Sequence, residues 1–217
     1  MEAPTEYKPR WERRKDARPQ ELLGAALDLF VERGYAATRL EDVARRAGVS
    51  KGTLYLYFTN KEELFKAMVR ETIVPGLGEA EHSIATFDGP SGELLRTILC
   101  SWWQRYGSTR LAGVTKLMMA EAGNFPELSR FYNDEVIARA NAMIARILER
   151  GMASGEFRPV DTETMTLILT APMVMLTLWT QALLPCKGGP LDAAVFLDAF
   201  IEQSVRGLRA DGPGAAA

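Results

Sequence analysis

Apolar residues recur at spacings of three and four along most of this 217-residue chain, and no long alternating run interrupts them. The pattern predicts an all-α protein. Leu23, Ala26, Leu27 and Phe30 form the apolar stripe of a helix over 18–33, and Gly34 is its C-terminal stop. A short helix follows over 40–47, with Val43, Ala44 and Ala47 inward and Gly48 as its breaker. A third, over 51–57, takes Ser50 as its cap. Asn60 and Glu63 stand at the spacing of a capping box and open a fourth helix, carrying Leu64, Phe65, Met68 and Val69. Pro75 and Gly76 end or kink it near position 74. Longer helices are expected near 91–107, 109–122, 126–153, 161–184 and 190–209, with "GNFP" and "GEFRP" as loops. The expected organisation is a flexible basic arm at 1–17, a three-helix head with a connecting helix at 18–74, a larger helical body at 75–209 and a disordered tail at 210–217. In all, about nine helices are expected.

Composition narrows the picture. With 47% hydrophobic and 25% charged residues, the chain is expected to bury a packed core. The first sixty residues hold 11 Lys or Arg against 9 Asp or Glu, and the segment "YKPRWERRKDAR" holds six bases and two acids. This is a basic front on a chain of net charge -2. The basic arm has two readings, a solvated tail or a segment tracking a DNA minor groove. Cys100 and Cys186 are too few and too far apart to staple the fold, and no apolar leader opens the chain, so a reducing cytoplasm is expected. The run "TMTLILTAPMVMLTLWTQALLPC" at 164–186 is long enough to span a membrane, but Pro172, five threonines and Gln181 interrupt it and no basic cluster flanks it. A helix buried between protein layers is expected there instead. His82 is the single histidine, and no phosphate loop, nucleophile elbow or metal-ligand spacing is present, so neither catalysis nor a metal nor a cofactor is expected.

The chemistry lies in "GVSKGTLYLYF" at 48–58. Two short helices joined by a glycine turn make a helix-turn-helix unit, and the helix at 18–33 is placed to back it. At 100° per residue, Leu54 and Phe58 fall inward, while Gly52, Tyr55 and Leu56 fall outward. A solvated face would carry charge at those positions; a helix seated in a DNA major groove would not. Glycine permits close approach, Leu56 suits thymine methyl groups, and Tyr55 reaches a base edge or a phosphate. Ser50, Thr53 and the first-turn N–H groups suit phosphate oxygens, and Lys51 and Lys61 supply positive charge. Tyr57 either packs beside Phe58 or joins the contact.

The stretch "GYAATRLEDVARRAGVSKGTLYLYFTNKEELFKAMV", residues 34–69, resembles the DNA-binding domain of the TetR family of bacterial transcriptional regulators. The resemblance implies that Thr38 and Lys61 contact phosphates, with Arg39 as a further contact, and that Lys51, Gly52, Tyr55 and Tyr57 meet bases or backbone. It also implies a body that dimerises and binds a small molecule. The segment 116–159 is similar to the effector domains of multidrug-efflux-type regulators. Large adaptable apolar side chains in the body are candidates for a hydrophobic pocket, namely Trp103, Met118, Phe131, Met143, Met173 and Trp179, although each also suits an ordinary core. The helices near 161–184 and 190–209 are the expected homodimer contact. The reading is therefore a ligand-responsive, sequence-specific repressor acting on a near-palindromic double-stranded operator, with the segment 60–74 transmitting the ligand's effect. The alternative is a helical small-molecule-binding or scaffold protein that does not read DNA sequence.

Overall fold

The computed structural model describes residues 10–183 and 192–210; positions 1–9, the segment around Cys186 and the tail from 211 lie outside the described residues. The chain divides into two compact units, Met1–Glu71 and Thr72–Ala217.

The first unit contains α1 (Arg10–Arg33), α2 (Leu40–Arg46), α3 (Lys51–Tyr55) and α4 (Lys61–Thr72). The expected arm is shorter than residues 1–17, because α1 already starts at Arg10 and runs through Pro19. Gly34, at φ 87°, ends α1 in the left-handed region, and its N–H returns to the Phe30 carbonyl. Leu22, Leu27, Phe30, Leu54, Leu64, Phe65 and Met68 are fully buried. The rings of Phe30, Tyr35 and Phe65 meet pairwise at 5.5–5.7 Å between centroids, tying α1 and its following turn to α4. Burial, reinforced by Glu62, pushes the Tyr35 hydroxyl up to about 12. At the start of α4, the Glu63 N–H donates to Asn60 Oδ1, while the Glu63 carboxylate accepts from the Thr59 N–H. The capping box thus closes one residue further back than its spacing implied.

The second unit is also helical, with one isolated antiparallel bridge between Phe157 and Arg209. It begins with α5 (Val74–Thr86), an element absent from the sequence reading. Pro75 stands at the second position of α5, where a missing N–H costs nothing, so it starts a helix rather than only ending one. Then come α6 (Ser91–Trp102), α7 (Ala112–Glu121), α8 (Pro126–Tyr132), α9 (Ala138–Ala153), α10 (Thr162–Leu178) and α11 (Ala193–Leu208). The helices extend through π turns at Trp103–Gly107, Asn133–Ile137 and Trp179–Leu183. The turn at Asn133–Ile137 makes α8 and α9 the two ends of the single helix expected over 126–153.

One core gathers Leu94, Leu95, Ile98 and Leu99 of α6, Ile144, Ile147 and Leu148 of α9, Leu169, Met173 and Leu176 of α10, and Leu197, Ile201 and Leu208 of α11. Gly151 lets the Phe157 ring lie on the α9 backbone; a Cβ there would stand 2.1 Å from the ring. The carboxylate of Glu156 accepts the N–H of Gly92 at 2.8 Å and that of Ser91, capping α6 from 64 residues away.

Candidate nucleic-acid interface

The turn between α2 and α3 is made by Gly48, whose φ of 66° lies in the left-handed region, and the Val49 N–H returns to the Ala44 carbonyl. This geometry starts α3 at Lys51. Ser50 caps it: its Oγ accepts the Thr53 N–H at 3.0 Å and lies 2.8 Å from Thr53 Oγ1. Only Leu54 of α3 is buried; Phe58, just beyond, is the next anchor. The opposite side presents Tyr55 at 43%, Leu56 at 83% and Tyr57 at 37% exposure. Tyr57 also sits 6.5 Å from the Phe58 ring, so its two readings coexist. A Cβ on Gly52 would meet nothing closer than Ser50 Oγ at 3.8 Å.

The cations are arranged differently from the sequence reading. Lys51 Nζ pairs with Glu41 Oε1 at 2.5 Å and lies 5.7 Å from the centroid of the Tyr55 ring. The pair raises the Lys51 pKa and lowers that of Glu41. Glu41, set aside in the sequence analysis for its negative charge, therefore holds the leading end of α3. Lys61 Nζ donates to the carbonyls of Tyr35 at 2.7 Å and Ala36 at 3.1 Å, with the Tyr35 ring beneath it at 4.4 Å. Its ammonium clamps the turn between α1 and α2. Thr38 is corrected outright as a side-chain phosphate contact. It is 2% exposed, and its hydroxyl lies within donating distance of the Gly34 carbonyl at 2.8 Å and the Leu29 carbonyl at 3.2 Å. A buried hydroxyl already bonded to backbone locks the turn and cannot present itself to an external oxygen. Arg39, just before α2, is exposed. Arg46 grips the Glu32 carboxylate with two N–H groups at 2.8 and 3.0 Å, fixing α2 against α1. Ser50, Lys51, Gly52, Thr53, Tyr55, Leu56 and Tyr57 thus lie together on one short capped element, with Arg39 at the start of α2.

The six apolar candidates of the second unit do not line one recorded cavity. Met173 is 3% exposed inside the main core, and Trp103 packs against that core from the π turn. Trp179 stands edge-on to Phe196 at 6.1 Å. Met118, Phe131 and Met143 are buried. The pattern missed a chain of hydroxyls: Tyr106 Oη lies 2.8 Å from Thr115 Oγ1 and 3.0 Å from Tyr132 Oη. Burial holds both phenols above their ordinary range, so they are neutral donors and acceptors. Among the described residues, no cluster of His, Cys, Asp and Glu could hold a metal.

Residues 22–68 match the model of bacterial regulatory proteins of the tetR family, and residues 92–195 match the tetracyclin repressor-like C-terminal domain. The HTH-type transcriptional repressor KstR2 of Mycolicibacterium smegmatis is 30% identical over 82% of this chain and 83% of its own length. This chain belongs to the tetR family of bacterial regulatory proteins. A fatty acid metabolism regulator protein of Bacillus subtilis is 29% identical over 66% of the chain and 74% of its own. FadR from Bacillus subtilis, solved in complex with stearoyl-CoA, superposes with a TM-score of 0.74 at 23% identity, covering 88% of this chain and 99% of that one. That likeness is one of fold. TetR-family regulators are ligand-responsive homodimers that bind operator DNA, and the chain is such a transcriptional regulator. Its relatives are regulators, not enzymes.

Proposed function

We propose that this regulator is a cytoplasmic, non-catalytic repressor that seats α3 in the major groove of a near-palindromic operator and leaves it when a small hydrophobic effector binds the second unit. The observation that carries the reading is the outward face of α3. Leu56 at 83% exposure, flanked by Tyr55 and Tyr57, costs solvation unless an apolar partner such as a thymine methyl covers it. Ser50, Thr53, Lys51 and Arg39 are the proposed phosphate contacts. Lys61 and Thr38 act one step back, by holding the turn from which Arg39 and α2 emerge.

For the effector, Trp103, Met118, Phe131 and Met143 supply adaptable apolar surface, and the Tyr106–Tyr132–Thr115 hydroxyls supply neutral hydrogen bonding. The stearoyl-CoA bound to FadR makes a long-chain acyl thioester the first molecule to try. The homodimer contact is assigned to α10 and α11. The helix through Thr162–Ala182 is long and apolar enough to cross a membrane, at a mean hydropathy of 1.4, yet only 28% of that window is buried within one chain. Leu167, Ile168, Met175 and Val195 are the exposed apolar residues a second subunit would cover.

The direct test is binding of the purified protein to the DNA upstream of its own gene, with excess competitor DNA at physiological salt. Tyr55→Ala and Leu56→Ala are expected to weaken specific binding by about 10-fold or more each, on the basis of ~1–3 kcal/mol per base contact, with unchanged thermal melting. Unchanged operator affinity in both variants sinks the assignment of α3 as the reading element.

A further inference from the structure

Between α9 and the first turns of α10 lies an open groove of about 390 Å³. Ala142 and Ala145 of α9 face Thr166 and Leu167 of α10 across it, and Asn141 and Glu163 stand in its lining. Thr166 is 4% exposed, and its Oγ1 is fully buried with no hydrogen-bond partner. Native interiors rarely leave a buried hydroxyl unpaired, and valine would fill the same volume without a polar atom to satisfy. An orphaned hydroxyl in a groove therefore points to a partner supplied from outside the chain.

The groove is continuous with the exposed apolar side of α10. Leu167 belongs to both: it lines the groove and is 55% exposed, next to Ile168 at 53%. Whatever covers Leu167 also roofs the groove. Its openness suits a flat, extended contact rather than a small molecule, which is normally enclosed over most of its surface. Its make-up, small apolar residues with Asn141 and Glu163 among them, is that of an interface with an apolar centre and a polar rim.

We propose that the groove receives a second copy of this chain, and that a polar atom of that copy completes the hydrogen bond of Thr166. The proposal rests on the assignment of the dimer contact to α10. Thr166 then has a specific task. An apolar helix face such as Leu167, Ile168 and Met175 can slide by a turn at little cost. One buried hydroxyl that finds its partner in a single alignment fixes the register, as buried polar residues do in helical dimers.

The test is sedimentation equilibrium of the full-length protein across a dilution series. Thr166→Val removes two hydroxyls per dimer and is expected to weaken association about 10- to 30-fold, at roughly fivefold for each lost hydrogen bond. Thr166→Ser keeps the hydroxyl and retains association. Ala142 is exposed, so Ala142→Leu fills the groove without threatening the fold, and it is expected to weaken association at least as much. Should Thr166→Val fail to fold, Ala142→Leu decides alone. Dimerisation of Thr166→Val and Ala142→Leu as tight as that of the unmodified chain overturns the proposal, and a small molecule in the groove is then the better occupant. Leu167→Glu separates the two readings. If it leaves the dimer intact, the α10 contact itself is wrong. If it dissociates the dimer while the groove variants do not, only the groove assignment falls.

Discussion

At the scale of single residues, the pairing of Lys51 with Glu41 has the clearest consequence. Both side chains are about half exposed, so the pair contributes little to stability. Its effect falls on binding. A phosphate must displace the Glu41 carboxylate before it gains the Lys51 ammonium, and Glu41 adds a negative charge that every DNA backbone repels. Glu41→Gln removes both obstacles. Affinity for random-sequence DNA is expected to rise several-fold, and the slope of log affinity against log salt to steepen by about one counterion. Specific binding gains less, so discrimination falls. A salt titration of both DNAs checks this; an unchanged slope for Glu41→Gln means that Lys51 never meets a phosphate. Thr38 and Lys61 carry a complementary lesson. Their residue types fit phosphate contacts, but only coordinates reveal that one hydroxyl turns inward and one ammonium is held by the carbonyls of Tyr35 and Ala36.

At the scale of elements, legibility followed the range of the interactions that define each helix. The caps at Ser50 and Asn60 and the turn at Gly48 depend on residues three or four apart, so local spacing revealed them. Start and stop signals also located α6, α7, α10 and α11 to within a few residues. What spacing could not show was set over longer range. The Glu156 cap on α6 and the Tyr106–Tyr132 hydroxyl pair join residues far apart in sequence. The π turns shift a helix's register without changing its apolar period enough to be seen. The helix α5 escaped because Pro75 and Gly76 were read only as an end, when proline at a second helical position serves equally as a beginning. One long-range contact of α5 is testable. Glu81 of α5 accepts two hydrogen bonds from Arg139 of α9, at 2.9 and 3.0 Å. The Arg139 hydrogen bonds hold the Glu81 carboxyl below its ordinary 4.5, against the opposing effect of burial. A depressed folded-state pKa means that the contribution is fully present above about 4.5 and is lost as pH falls through the folded value. Glu81→Gln is therefore expected to melt lower than the unmodified chain at pH 7, with the gap closing in acid. A gap that stays constant from neutral to acid pH would show that the ion pair is not its source.

At the scale of the whole molecule, the question is whether the two units are thermodynamically linked. The matched regions at 22–68 and 92–195 correspond to a reading part and a sensing part, and the sequence similarity to KstR2 spans both. A hydrophobic effector regulates only if it binds the DNA-free dimer more tightly than the DNA-bound one, however tight either binding is. A coupling of ~1–3 kcal/mol, typical of such switches, lowers operator affinity by about 5- to 150-fold at saturation. Stearoyl-CoA titrated into a preformed operator complex is expected to release the DNA within that range, whereas free coenzyme A, which lacks the apolar chain, leaves it bound. Linkage makes the test stricter, because the coupling is reciprocal: operator DNA must weaken stearoyl-CoA binding by the same factor. Equal factors in the two directions establish a two-state switch that joins sensing to reading. If the acyl thioester binds and operator affinity does not move, ligand binding and DNA reading are independent properties of this chain, and its effector must be sought in another chemical class.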